Sequence, residues 1–273
     1  MSDRQTHKAR KRFGQNFLID KSIIQSITDA VDPSSDNCLV EIGPGLGALT
    51  EPLVDRCRQL TVIELDRDLA AKLNTLSTRL ANHGKTLNVI SADALTFDFD
   101  QLASEHQAKL RVVGNLPYNI STPILFHLLK SAHRIDDMHF MLQKEVVQRM
   151  TAQPGSKIYG KLSVMLQWQC KVTSLFDVPP EAFRPVPAVN SAVVRIQPEP
   201  MTEEELKLGP WLEKIVSAAF TQRRKTLRNS LSAWLNTDEL LKLDVDPKAR
   251  AETLNIDAFC RLAGVVQTRE QPT

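Results

Sequence analysis

Apolar and polar positions along the chain follow two rhythms. The segments "CLVEI" (38–42), "LTVIE" (60–64), "TLNVI" (86–90), "KLRVVG" (109–114) and "MHFMLQ" (138–143) are short, nearly continuous apolar runs bounded by turn residues. That is the signature of strands buried on both faces. Around them, "DKSIIQSITDAV" (20–31), "ALTEPLVDRC" (48–57) and "RDLAAKLNTLSTRLANH" (67–83) space their apolar residues as helices do. The first ends before Pro33 and the last is closed by Gly84. Strand and helix in alternation predict a parallel sheet with helices on both faces. Right-handed crossovers then make it doubly wound.

Past residue 143 the rhythm changes. A helix around "KEVVQRM" leads through the loop "AQPGSKIYGK" to a helical "SVMLQWQC", and "KVTSLFDV" and "SAVVRIQ" read as strands. Between those strands, the Pro-rich "VPPEAFRPVPAVNS" (178–191) is excluded from helix and central strand, so it is read as a shaped loop. "QPEPMTEEE" (197–205) reads as a linker, followed by short helices over 208–219, 220–235, 238–243 and 256–266. The expected division is a main domain over 1–200, with a basic arm at its start, and a small all-helical domain over 206–273.

Composition adds little until it is resolved by position. The chain has 273 residues, 42% hydrophobic, enough for a sizeable core. Its net charge of +2 hides two concentrations. Residues 1–21 and residues 220–231 each carry +4, which leaves −6 for the rest. An acidic body with two concentrated basic stretches is a pattern that calls for an explanation. The four cysteines are scattered and make no metal-ligand spacing with one another or with the six histidines. No metal and no disulfide framework are expected; free thiols fit a reducing compartment. No run approaches a membrane span, so a cytoplasmic protein without membrane association is expected.

The first strand runs into "VEIGPGLGALT". Gly43, Gly45 and Ala48 fit the pattern G-x-G-x-x-[G/A], and Glu64 ends the next strand 21 residues after Gly43. Glycines admit a ligand close to the backbone, and an acid at that strand end suits two ribose hydroxyls. The spacing supports an adenosine-type cofactor but does not choose between a nicotinamide dinucleotide and S-adenosylmethionine. Glu41 gives the form E-x-G-x-G found in methyltransferases. Asp93, just past the third strand, is placed to accept from an adenine amine; as an alternative it is an N-cap.

The fourth strand ends in "GNLPYNIST". Asn115 is thereby placed at the carboxyl end of the sheet, where ligands bind. Pro117 restricts Leu116 to extended geometry and so aims its carbonyl. The Asn115 side-chain oxygen and the Leu116 carbonyl make two acceptors, suited to the exocyclic amine of adenine or cytosine. Tyr118 offers a flat face for a base. Two fixed acceptors localise the lone pair of a poor amine nucleophile, and neither metal nor strong base is required.

This stretch resembles the (N/D)-(I/L/P)-P-(Y/F/W) signature of amino-methyltransferases acting on adenine and cytosine. With "RKRFGQNFL" (10–18), "EIGPGLGALT" (41–50), "VIELDRDLA" (62–70), "GNLPYNISTPILFHLL" (114–129), "MLQKEVVQRM" (141–150), "VPPEAFRPVPAVNSAVVR" (178–195) and "AFTQRRKTLRNSL" (219–231), nearly the whole chain resembles one family. It is the bacterial small-subunit (16S) rRNA adenine dimethyltransferases, the enzymes of kasugamycin sensitivity. The resemblance implies a Rossmann-like class I methyltransferase sheet, mostly parallel with one antiparallel strand, and a small C-terminal helical domain. It implies S-adenosyl-L-methionine as cofactor and dimethylation of two adjacent adenosines near the 3′ end of 16S rRNA, late in small-subunit biogenesis. The partner would be 16S rRNA within the immature 30S subunit, and the enzyme a monomer.

Carried over by position, Asn16 and Leu18 would close over the cofactor, with Gly43 and Gly45 at the glycine turn. Glu64 would hold the ribose and Asp93 the adenine amine. Asn115 and the Leu116 carbonyl would hold the target amine, and Tyr118 and Phe183 would sandwich the flipped base. Phe183 as a core side chain is the alternative. The segment 220–231, read as a helix, puts Arg224 and Arg228 on one face with Arg223 and Lys225 flanking, a row fit for RNA phosphates. Lys11 and Arg12 would add contacts from the arm. The rival readings are a solvated basic face, a relative that methylates large-subunit rRNA, an assembly checkpoint in which methylation is secondary, and a nicotinamide dehydrogenase. The last does not account for Asn115 to Tyr118.

Overall fold

The computed structural model describes residues 16–117 and 120–270. In chain order the elements are β1 (Phe17–Leu18), α1 (Lys21–Val31), β2 (Cys38–Ile42), α2 (Thr50–Arg56), β3 (Gln59–Glu64), α3 (Arg67–Ala81), β4 (Thr86–Ser91), α4 (Phe99–His106) and β5 (Leu110–Asn115). They continue with α5 (Ser121–Lys130), β6 (Ile135–Gln143), α6 (Lys144–Met150), α7 (Lys161–Gln169), β7 (Cys170–Val178), β8 (Phe183–Arg184), β9 (Ser191–Pro198), α8 (Glu203–Thr221), α9 (Leu227–Ser230), α10 (Thr237–Lys242) and α11 (Ile256–Glu270).

Seven strands form one sheet in the order β4-β3-β2-β5-β6-β9-β7. Strands β4 to β6 pair in parallel, and β9 runs antiparallel to β6. The order reverses direction at β2 and β5, which makes the crevice beyond their carboxyl ends the place for a ligand. The predicted buried strands are buried as expected: Leu39, Val40, Leu60, Val62, Val112 and Val113 are each at most 1% exposed. Asp20 caps α1 by accepting from the Ser22 and Ile23 amides, and Asp66 caps α3 through the Asp68 amide. Helices α4 and α5 complete the alternation; their short apolar patterns between strong strands gave no sequence signal of their own.

The chain divides into two compact units. The first takes the residues up to Val147 and Thr173–Pro198, and the second Gln148–Val172 and Glu199 onward. The expected boundary near 200–206 therefore omits a segment. Helix α7 packs against α8 within the second unit, the Gln167 side chain donates to the Met150 and Ala152 carbonyls, and the Glu199 amide donates to the Gln169 carbonyl. Phe220 bridges Tyr159 and Phe259 in the same core. These long-range contacts are invisible to local patterning.

Candidate active site

The carboxyl ends of β2, β3, β4 and β5 surround a cavity of about 360 Å³. Its floor is the glycine turn. Gly43 and Gly45 adopt φ of +67° and +60°, which residues with a Cβ rarely do. A Cβ at Gly45 would also lie 3.3 Å from the Phe17 ring, so the turn and the start of the described chain are in contact. Gly114 has a different reason. A Cβ there would sit 2.6 Å from the Ile42 carbonyl oxygen, because β2 and β5 approach closely where both end.

The charge of the lining separates the two cofactors that spacing left open. Four carboxyl groups face the cavity, from Glu41, Glu64, Asp66 and Asp93, and no lysine or arginine does among the described residues. With Glu41 kept largely neutral by burial, Glu64, Asp66 and Asp93 still make a wall that repels a pyrophosphate and suits a nucleoside that carries positive charge. Glu64 is held in place from two sides: Oε2 accepts from the Gly45 amide at 3.1 Å and Oε1 from the Asp66 amide at 2.9 Å. Burial raises its carboxyl above the usual range, and those two amides oppose the rise. Glu41 is fully buried and is pushed up to about 8 by burial, with Glu64 adding repulsion; Thr50 Oγ1 donates to it at 2.6 Å. Asp93 is not a helix N-cap, since Asp98 caps α4, but it does line the cavity. Its Oδ1 accepts from the Leu95 amide at 2.9 Å within the turn that follows β4.

Asn115, Leu116 and Pro117 line the same cavity, beside the glycine turn: a Cβ at Gly43 would lie 3.9 Å from the Asn115 carbonyl oxygen. The Leu116 amide donates to the Met141 carbonyl, which fixes the loop to β6 as it leaves the sheet. Asn115 Nδ2 donates to the Asn16 carbonyl at 3.1 Å, and no described residue donates to its Oδ1. Asn16 and Leu18 line the cavity too, as expected, together with Phe17. Phe17, Glu41 and Asp66 were not among the expected site residues. An aromatic inside the basic opening stretch was the available signal for Phe17, and the acid before the glycines for Glu41.

Two expectations change. Phe183 is 1% exposed and packs in the core with Leu18, Val178 and Ala182, so its ring does not face the cavity. In the short ladder of β1 with β8, Phe183 pairs with Leu18, and packing in this apolar cluster buries its ring. The segment 220–231 is not one helix. Helix α8 ends at Thr221, a turn follows, and α9 starts at Leu227, whose amide donates to the Ala249 carbonyl while the Arg228 amide donates to that of Pro247. Arg223 turns onto its own unit, donating to the Lys157 carbonyl and to that of Tyr159 at 3.3 Å, with Glu252 at 3.5 Å. Arg224, Lys225 and Arg228 are exposed and have no ion pair with a described residue. Tyr118, Lys11 and Arg12 lie outside the described residues.

Comparison with known proteins agrees with this chemistry. Residues 6–268 match the family model described as ribosomal RNA adenine dimethylase. A protein of Proteus mirabilis (strain HI4320) named ribosomal RNA small subunit methyltransferase A is 51% identical, over 98% of this chain and 97% of its own length. Among solved structures, a dimethyladenosine transferase from Plasmodium falciparum superposes with a TM-score of 0.77 at 24% identity, covering 93% of this chain and 98% of that one. The 23S rRNA methyltransferase ErmE gives 0.69 at 26% identity, covering 91% and 98%. The chain belongs to the ribosomal RNA adenine dimethylase family and is a class I methyltransferase that uses S-adenosylmethionine.

Proposed function

We propose that this enzyme dimethylates the exocyclic amines of two adjacent adenosines near the 3′ end of small-subunit rRNA, within an immature 30S particle. The observation that carries the reading is one cavity lined both by the glycine turn with its acids and by Asn115, Leu116 and Pro117, with no lysine or arginine in its lining among the described residues. Half identity over nearly the full length to a small-subunit enzyme favours that target over the large-subunit one of ErmE.

The residues divide the work. The Glu64 carboxylate, held by two amides, takes ribose hydroxyls, and Asp93 takes the adenine amine. Asn16, Phe17 and Leu18 wall the cavity and exclude water. S-Adenosylmethionine supplies an electrophilic methyl group on a sulfonium. Asn115 Oδ1 and the Leu116 carbonyl accept the two hydrogens of the target amine and hold its lone pair out of the ring. Once methylated, the nitrogen is acidic and its proton leaves to water without a dedicated base. Tyr118 supplies the stacking face, Phe183 supports the β1–β8 ladder beneath the site, and Arg224, Lys225, Arg228, Lys11 and Arg12 contact RNA phosphates.

Labelled methyl transfer to 30S particles lacking the modification, followed by nucleoside analysis and mapping by primer extension, tests the reading. Dimethyladenosine at two neighbouring small-subunit positions is expected. Asn115→Ala should lower kcat/KM by about 100- to 1,000-fold, the usual cost of one oriented polar partner. Label in large-subunit RNA alone would overturn the assignment.

A further inference from the structure

Asn115 makes one contact that holding the amine does not require. Its Nδ2 donates to the main-chain carbonyl of Asn16, a residue 99 positions away in the chain. A side-chain amide has an accepting and a donating side, and only the accepting side can receive the two-hydrogen amine of adenine. The Asn16 carbonyl is itself an acceptor, so it can pair only with the nitrogen. That choice leaves Oδ1 for the substrate.

The carbonyl is held in turn by β1. Phe17 and Leu18 pair with Arg184 and Phe183, and the Ile19 amide donates to the Ala182 carbonyl at 2.8 Å. Leu18 and Phe183 are buried in the same apolar cluster, and the Phe17 ring rests against Gly45. We infer that the Asn16 carbonyl is a positioning group that sets which way the Asn115 amide faces, and that the β1–β8 ladder ties this setting to the Pro-rich loop 178–191. The inference rests on the proposed role of Asn115 and deepens it, because it explains why this position carries an amide and not an acid. A carboxylate at 115 would oppose oxygen to oxygen. It would regain the arrangement only by keeping a proton, with its O–H toward Asn16 and its C=O toward the substrate. Of the other titratable groups lining the cavity, Glu64, Asp66 and Asp93 are acids whose negative charge favours the protonated form as well, while burial keeps Glu41 largely uncharged across most of the tested range.

The test compares full-length wild type, Asn115→Asp and Asn115→Ala between about pH 5.5 and pH 8, by methyl transfer to the unmodified particle and by amide hydrogen exchange at Leu18 and Ile19. The activity of Asn115→Asp relative to wild type should rise by about tenfold or more as the pH falls across this range, since one pH unit changes a protonated fraction up to tenfold. At pH 8 the same variant should exchange its Ile19 amide about tenfold faster than wild type, and the difference should shrink toward pH 5.5. A relative activity that is flat or that rises with pH would overturn the inference. So would wild-type exchange at Ile19 in Asn115→Asp at pH 8, and this readout decides if the variant is inactive throughout. Full activity in Asn115→Ala would instead overturn the role of Asn115 itself.

Discussion

Two turns of this chain, the glycine turn at 43–47 and the basic turn at 222–226, carry the residues that first draw the eye, and they behave in opposite ways. The glycines impose a backbone shape, and the cavity is built on that shape. The arginines and the lysine impose only charge. Their long side chains can serve the protein's own carbonyls as readily as a phosphate, and Arg223 does so. Backbone chemistry thus transmits function from sequence to structure directly, whereas charge does so only after the fold has chosen which cations stay exposed.

The contrast can be broken or sharpened by experiment. The largest effect is expected at Gly114→Ala, where a methyl group would be forced to 2.6 Å from the Ile42 carbonyl. Unfolding in urea should show a loss of about 1–3 kcal/mol, the cost of an overpacked site, and methyl transfer should fall about 100-fold or more. A fully stable, active variant would show that the two strand ends are not rigidly set. Next, Glu64→Gln should weaken S-adenosylmethionine binding about 10- to 100-fold by calorimetry, as loss of a charged hydrogen-bond partner does.

Acid should then distinguish the two units. Burial holds His139 of β6 neutral, down from 6.5 to about 4, with the charges of Arg111 and Arg195 acting in the same direction against the pull of Asp137. The unfolded chain takes up its proton at about 6.5 and the folded chain only near 4, so stability is full above 6.5 and is lost as the pH falls between the two values. The loss is on the order of 2–3 kcal/mol, and it falls on the first unit. Thermal melts from pH 7 to pH 4 should flatten in His139→Gln. The smallest effects belong to the basic turn. Arg223→Ala should lower the stability of the second unit by about 1 kcal/mol and leave the salt dependence of RNA binding unchanged. Arg224→Gln should do the reverse and reduce the salt slope by about one. Equal slopes in the two variants would erase the distinction between them.

The sheet was legible because its strands are buried on both faces, so Leu39, Val62 and Val113 announce themselves without reference to neighbours. The cavity was legible where backbone conformation demanded particular residues, at Gly43, Gly45 and Pro117. Position along a strand fixed Glu64 and Asn115, since parallel strands end together. What escaped depends on partners far away in sequence. The burial of Phe183 follows from packing with Leu18, the break in the basic helix from carbonyls at Pro247 and Ala249, and the passage of Gln148–Val172 to the second unit from packing on α8.

The close seam of Ile42 and Gly114 has one more consequence. The glycine loop and the Asn115-Leu116-Pro117 loop spring from adjacent strands whose spacing is set there by main-chain atoms and the absence of a side chain. The distance between the two loops is therefore gauged by peptide geometry.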